Sequence, residues 1–138
     1  MPYFKEVSRW LEPIYLESSH EKLTQINSHL IKAICAYLNI QTKIIDSSQF
    51  NLVEGKTERL VGLCKDIGAT EYISGPAAKN YIDPILFEEA GVTLSWADYT
   101  DYPEYDQPWG EFEHGVSILD LLFCEGTNSA KYMKHLCA

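Results

Sequence analysis

Ser74-Gly75-Pro76, followed by a lone lysine at Lys79, is the stretch whose residue types could hold a ligand. Gly75 lets a ligand approach the backbone without meeting a Cβ, the N–H groups of such a turn can face an anion, and Lys79 adds a compact positive charge. A phosphate or a carboxylate would suit it. The same residues also read as a plain strand end beside a solvated lysine. A second candidate is Lys56-Thr57-Glu58-Arg59, which opens a helix where unsatisfied N–H groups and the dipole favour negative groups. Arg59 is the sharper member, because its planar fork can hold a carboxylate or phosphate through two bonds. Thr57 equally reads as the N-cap, and Glu58 and Arg59 as surface charges.

Tyr105, Gln107 and Trp109 could offer a flat ring and an amide to a sugar. The plainer alternative is that Trp109 and Phe112 anchor a loop. His114 lies between that loop and the next helix, where a general acid or base is conceivable. His20, His29 and His135 have no partners at metal-ligand spacing, and no zinc motif occurs. Asp101, Glu104, Asp106, Glu111 and Glu113 do not follow calcium-loop spacing. The absence of a Ser-His-Asp order, a nucleophile elbow, a phosphate loop or a Gly-x-Gly-x-x-Gly fingerprint argues against a self-sufficient hydrolase, phosphate-loop enzyme or dinucleotide oxidoreductase.

The elements that must position these residues alternate. Leu23, Ile26, Leu30, Ile34 and Leu38 fall at helical spacing over His20 to Leu38, with Ser18 or Ser19 as N-cap. Gln41 to Asp46, with β-branched Thr42, Ile44 and Ile45, reads as a short strand ending at the turn Asp46-Ser47-Ser48. Leu60, Val61, Cys64 and Ile67 mark a helix from Thr57 that Gly68 closes. Glu71 to Ser74 is the next strand, Asp83-Pro84 starts a helix that Gly91 ends, and Val92 to Trp96 is a third strand. The alternation predicts an α/β single domain, with a small parallel sheet of about three strands flanked by helices. Parallel strands would gather Asp46-Ser47-Ser48, Ser74-Gly75-Pro76 and Asp98-Tyr99 at one sheet edge, where open α/β sheets bind ligands.

Residues 97–114 interleave acidic and aromatic side chains and read as an irregular loop, because disordered segments are poor in aromatics. Ser117 to Asp120 fits a capping box ahead of Leu121, Leu122 and Phe123, and a last short helix runs from Asn128 to about Leu136.

At 138 residues and 46% hydrophobic content the chain suits one core. A formal net charge of -9, with 11 Lys and Arg, disfavours nucleic acid and anionic membranes as partners. The four cysteines, Cys35, Cys64, Cys124 and Cys137, form no C-x-x-C pair and read as free thiols of a reducing compartment. No run of about 18 apolar residues and no signal-peptide core is visible, so a cytoplasmic location is expected.

Pro2-Tyr3-Phe4, Lys56-Thr57-Glu58-Arg59-Leu60-Val61, Tyr72-Ile73-Ser74-Gly75-Pro76 with Ala78-Lys79 and Tyr81-Ile82-Asp83, Phe87-Glu88-Glu89-Ala90-Gly91, Gln107, and Ser117-Ile118-Leu119-Asp120-Leu121-Leu122-Phe123 together resemble the WbqC-like family. The resemblance runs from Tyr3 to about Gly126. It implies a role in bacterial surface-polysaccharide (O-antigen) synthesis, in which an acyl or aminoacyl group is attached to an amino sugar. A nucleotide-sugar or amino-sugar substrate would follow. The predicted convergence near one sheet edge puts Ser74, Gly75 and Lys79 on an anionic group of the substrate, Arg59 and Glu58 in a position to orient it and Gln107 on a polar part, with no catalytic residue, metal or cofactor assigned. Family members resemble longer chains with an additional N-terminal portion that bears a His-Gln-Pro segment and an Asn-Arg block. The alternative function is therefore a non-catalytic half-domain that forms a homo-oligomer or pairs with a partner chain covering that portion.

Overall fold

The computed structural model describes residues 1–17 and 19–134. Five α-helices and a parallel pair of strands make the protein α/β, and the described residues form two compact units.

One unit comprises residues 1–44 and 101–138. Its first helix, α1 (Phe4–Leu16), went unread in the sequence. Phe4, Val7, Leu11 and Ile14 keep helical spacing, but Pro13 lacks the donor that an inner turn needs. Packing supplies what the local pattern does not. Val7 is fully buried, the Trp10 ring lies 4.5 Å from that of Tyr37, and Phe4 stacks on Phe123 at 5.6 Å. The second helix, α2 (Leu23–Tyr37), starts later than the spacing suggests, with extended Lys22 at its N-cap and no side-chain cap. Ser19 lies outside the helix, and Ser18 lies outside the described residues.

The predicted strand over Gln41 to Asp46 is absent. Every residue of the segment is exposed, and β-branched residues favour strands only where a pleated, half-buried surface receives them. The turn chemistry after it holds, because the Ser48 N–H donates to Asp46 Oδ1 at 2.8 Å and opens a short 3-10 turn, Ser47–Gln49.

The other unit comprises residues 45–100. Its helix α3 (Lys56–Asp66) is preceded at the N-cap by Gly55, with φ at +100°, rather than by Thr57. Thr57, the second residue of the helix, is buried. Its hydroxyl donates to the Tyr81 carbonyl at 3.5 Å and accepts from the Asp83 N–H at 3.0 Å. Strand β1 (Glu71–Ser74) is followed by a 3-10 turn, Pro76–Asn80, and by α4 (Pro84–Glu89), which Asp83 caps through the Ile85 N–H at 3.0 Å. Strand β2 (Thr93–Trp96) pairs with β1 in parallel, Ser74 opposite Trp96. The sheet therefore has two strands rather than three. Val61, Cys64, Ala78, Ile82, Phe87 and Val92 form this unit's buried cluster, with Tyr72 stacked on Phe87 at 5.2 Å.

Back in the first unit, the acidic and aromatic segment lacks regular structure up to Ser117, whose hydroxyl accepts from the Leu119 N–H at 3.0 Å and caps α5 (Ile118–Glu125). Val7, Leu38 and Leu122 form the buried centre here. The chain then forms a 3-10 turn over Gly126–Tyr132 in place of the predicted last helix, whose end falls at 135–136, outside the described residues. Gly126 has φ at +54°, and a Cβ there would overlap the Tyr3 ring, so a close approach as well as backbone conformation requires glycine.

Candidate functional site

The carboxyl ends of β1 and β2 bring Ser74 and Gly75 beside Trp96 and Tyr99. Parallel pairing places both ends on one edge, and the Ala97 N–H donates to the Ser74 carbonyl at 2.8 Å, continuing the ladder past the strands. Ser74 is buried, and a Cβ added at Gly75 would stand 3.5 Å from the Tyr99 hydroxyl. The 3-10 turn then carries Lys79 back over β2, where its ammonium lies 5.4 Å from the centre of the Trp96 ring. An exposed cation held on a ring face gains about 0.5–1 kcal/mol. Lys79 is thus oriented yet still open to solvent.

The other readings fare differently. Asp46-Ser47-Ser48 terminates no strand, so the three turns expected to converge reduce to two. Glu58 folds back over the α-carbon of Gly55, as an acidic residue in a first helical turn does, and Arg59 Nε donates to the Val53 carbonyl at 3.2 Å. Both belong to the unit that contains Ser74, but among the described residues neither bonds to the strand ends. Lys56, in the same turn, lies 5.5 Å from the centre of the Tyr81 ring.

Gln107 belongs to the other unit, where its amide is fully engaged. Its Nε2 donates to the Glu113 carbonyl at 3.0 Å and to Asp120 Oδ2 at 3.1 Å, and its Oε1 accepts from the Glu113 N–H at 2.8 Å. Tyr105 donates to the same Asp120 oxygen at 2.8 Å. Burial, reinforced by the Asp120 carboxylate, pushes the Tyr105 phenol up from 10 to about 12. The capping-box reading of Asp120 is corrected accordingly, because its carboxylate accepts hydrogen bonds from the loop and only the Ser117 half of the motif forms. Sequence reasoning missed Asp120 as a loop clamp for that reason.

Phe112 anchors the loop edge-on to Tyr105 at 5.1 Å, whereas Trp109 is 81% exposed and offers a free ring face. Glu104, Tyr105, Asp106, Gln107, Gly110, Phe112, Glu125 and Tyr132 line a cavity of about 380 Å³. Its carboxylates suit hydroxyl and ammonium groups better than anions. His114, exposed, lies 4.0 Å from Glu104. Among the described residues no cluster of His, Cys, Asp and Glu is placed to hold a metal ion, and no helix is long and apolar enough to cross a membrane. Cys35, Cys64 and Cys124 are free thiols; Cys137 lies outside the described residues.

The model of the WbqC-like protein family matches residues 1–132. The uncharacterized protein Rv1507c of Mycobacterium tuberculosis is 47% identical over 133 residues, which are 96% of this chain and 58% of that protein. The chain thus spans less than two thirds of the length of this relative. No solved structure matches.

Proposed function

This chain belongs to the WbqC-like protein family, and from that premise we propose that it acts in bacterial surface-polysaccharide synthesis, binding a substrate for acyl or aminoacyl transfer to an amino sugar. In such a transfer the sugar nitrogen bonds to the acyl carbon, the leaving group departs with its bonding electrons, and the nitrogen gives up a proton. The turn at Ser74 and Gly75, with Lys79 held on Trp96, binds the anionic part of the substrate. A phosphate of a nucleotide sugar fits this role. Taken by itself, the other unit has an acidic, partly aromatic cavity that offers acceptors to hydroxyl and ammonium groups. Gln107 serves that cavity by holding its loop in place.

The observation that carries the reading is the placement of a solvent-open lysine and a Cβ-free turn at the carboxyl edge of a parallel pair, the edge where α/β sheets take ligands. Isothermal titration with a uridine-diphosphate amino sugar tests it. Binding is expected, and Lys79→Ala should weaken it about tenfold, the loss of one charge-assisted contact of about 1.4 kcal/mol. A folded protein that gives no heat, or a Lys79→Ala variant that binds as the parent does, refutes the reading.

A further inference from the structure

Among the described residues, strand β1 is bonded along one side only. The Thr93 N–H donates to the Thr70 carbonyl at 2.9 Å and the Ala97 N–H to the Ser74 carbonyl at 2.8 Å. With Glu71 opposite Thr93 and Ile73 opposite Ser95, this register turns the main-chain groups of Tyr72 and Ser74 toward β2. Successive residues of a strand bond to opposite sides. The N–H and C=O of Glu71 and Ile73 therefore lie along the outer edge. Among the described residues no hydrogen bond reaches Ile73, which is 63% exposed. On the far side of the pair, Leu94 and Trp96 are half-buried.

Unpaired strand edges are templates for another strand, and folded proteins blunt them with proline, lysine or a bulge. Glu71-Tyr72-Ile73-Ser74 is short, at four residues, but carries no proline, lysine or bulge, and its one charge is engaged by the Ser95 hydroxyl at 2.5 Å. Parallel strands, moreover, occur almost always inside larger sheets, and two strands alone are marginal. The mycobacterial relative carries 42% of its length outside the aligned region, of which 58% is matched here. That is ample chain for further strands.

We infer that the outer edge of β1 receives an extended strand from the portion of a WbqC-like protein that lies beyond the matched region, bonded to the main-chain groups of Glu71 and Ile73. The occupant is a distinct segment rather than a second copy of these residues. This inference does not depend on the ligand proposed at Ser74 and Lys79.

Co-expression of this chain with the portion of the mycobacterial relative outside the aligned 133 residues tests it, read by light scattering and by residue-resolved amide exchange. A one-to-one complex is expected. The Ile73 amide should slow at least about tenfold on complex formation, whereas the Tyr72 and Ser74 amides, already bonded to β2, change little. Ile73→Pro, which removes the edge donor, should abolish co-purification; if that variant fails to fold, the exchange of the unaltered chain decides alone. Failure of the two polypeptides to co-purify overturns the inference, as does a complex in which Ile73 still exchanges freely. Protection of Ile73 through self-association of this chain overturns it as well.

Discussion

Tyr105→Phe removes one oxygen and keeps the ring. The ring contacts to Phe112 at 5.1 Å and Tyr132 at 5.7 Å survive, so the change isolates the hydroxyl that donates to Asp120 at 2.8 Å. A hydrogen bond to a charged group contributes about 1.5–3 kcal/mol. Asp120 keeps the Gln107 donor at 3.1 Å and Tyr105 is only half-buried, which brings the expected loss to about 1–2 kcal/mol. For a chain of this length that lowers the melting temperature by roughly 3–8 °C. The pH dependence adds a second signature. The folded phenol titrates at about 12 against 10 when unfolded, so the native state holds its proton longer than the unfolded chain does. This contribution is complete below pH 10 and disappears as pH rises from 10 toward 12. The chain holds 9 tyrosines, so the informative quantity is the difference between parent and variant. Circular dichroism melts at pH 7 and at steps above pH 10 should show that difference shrinking. A variant that melts within about 1 °C of the parent at pH 7, or a gap that widens above pH 10, refutes the reasoning.

Two further outcomes follow from burial. Phe87→Ala empties the centre of the cluster formed by Val61, Cys64, Ala78, Ile82 and Val92 and should cost about 3–5 kcal/mol, measured by urea unfolding. Maleimide labelling at neutral pH should reach half-buried Cys35 well before Cys64 and Cys124, because burial raises both of the latter thiols and reduces their thiolate fraction; equal rates would show that those thiols are not enclosed.

The residues 56–96 were the most readable, because each element there carries its own punctuation. Gly68 at φ +66°, Asp83 with Pro84, and Gly91 at φ +69° stand where the local rules put them. The parallel pairing of Glu71–Ser74 with the strand ending at Trp96 followed from the helix between them. Tertiary context decided the rest. Residues 41–46 have a strand's composition but no surface to lie on, and α1 contains a proline that only the packing of Val7, Trp10 and Phe4 offsets. At the candidate site, Ser74, Gly75 and Lys79 were legible as a turn with a charge, but Trp96 beneath the lysine depends on strand register. Asp120 was hidden by its own motif, since a capping template looks only along one helix and the donors came from a loop 13 and 15 residues upstream.

Tyr3 donates its N–H to the Phe123 carbonyl at 3.3 Å, its hydroxyl accepts from Asn128 Nδ2 at 3.0 Å, and its ring covers Gly126. These contacts join residues more than a hundred positions apart, whereas residues 45–100 find their partners close at hand. The cluster of residues 45–100 closes within its own stretch of chain, whereas Val7 and Phe4 of α1 have no partners until Leu122 and Phe123 have been made. Helix α1 is thus settled after the inner segment, and a nascent chain whose residue 100 has just cleared the ribosome's exit tunnel should protect Phe87 from protease while leaving Trp10 open to cleavage nearby.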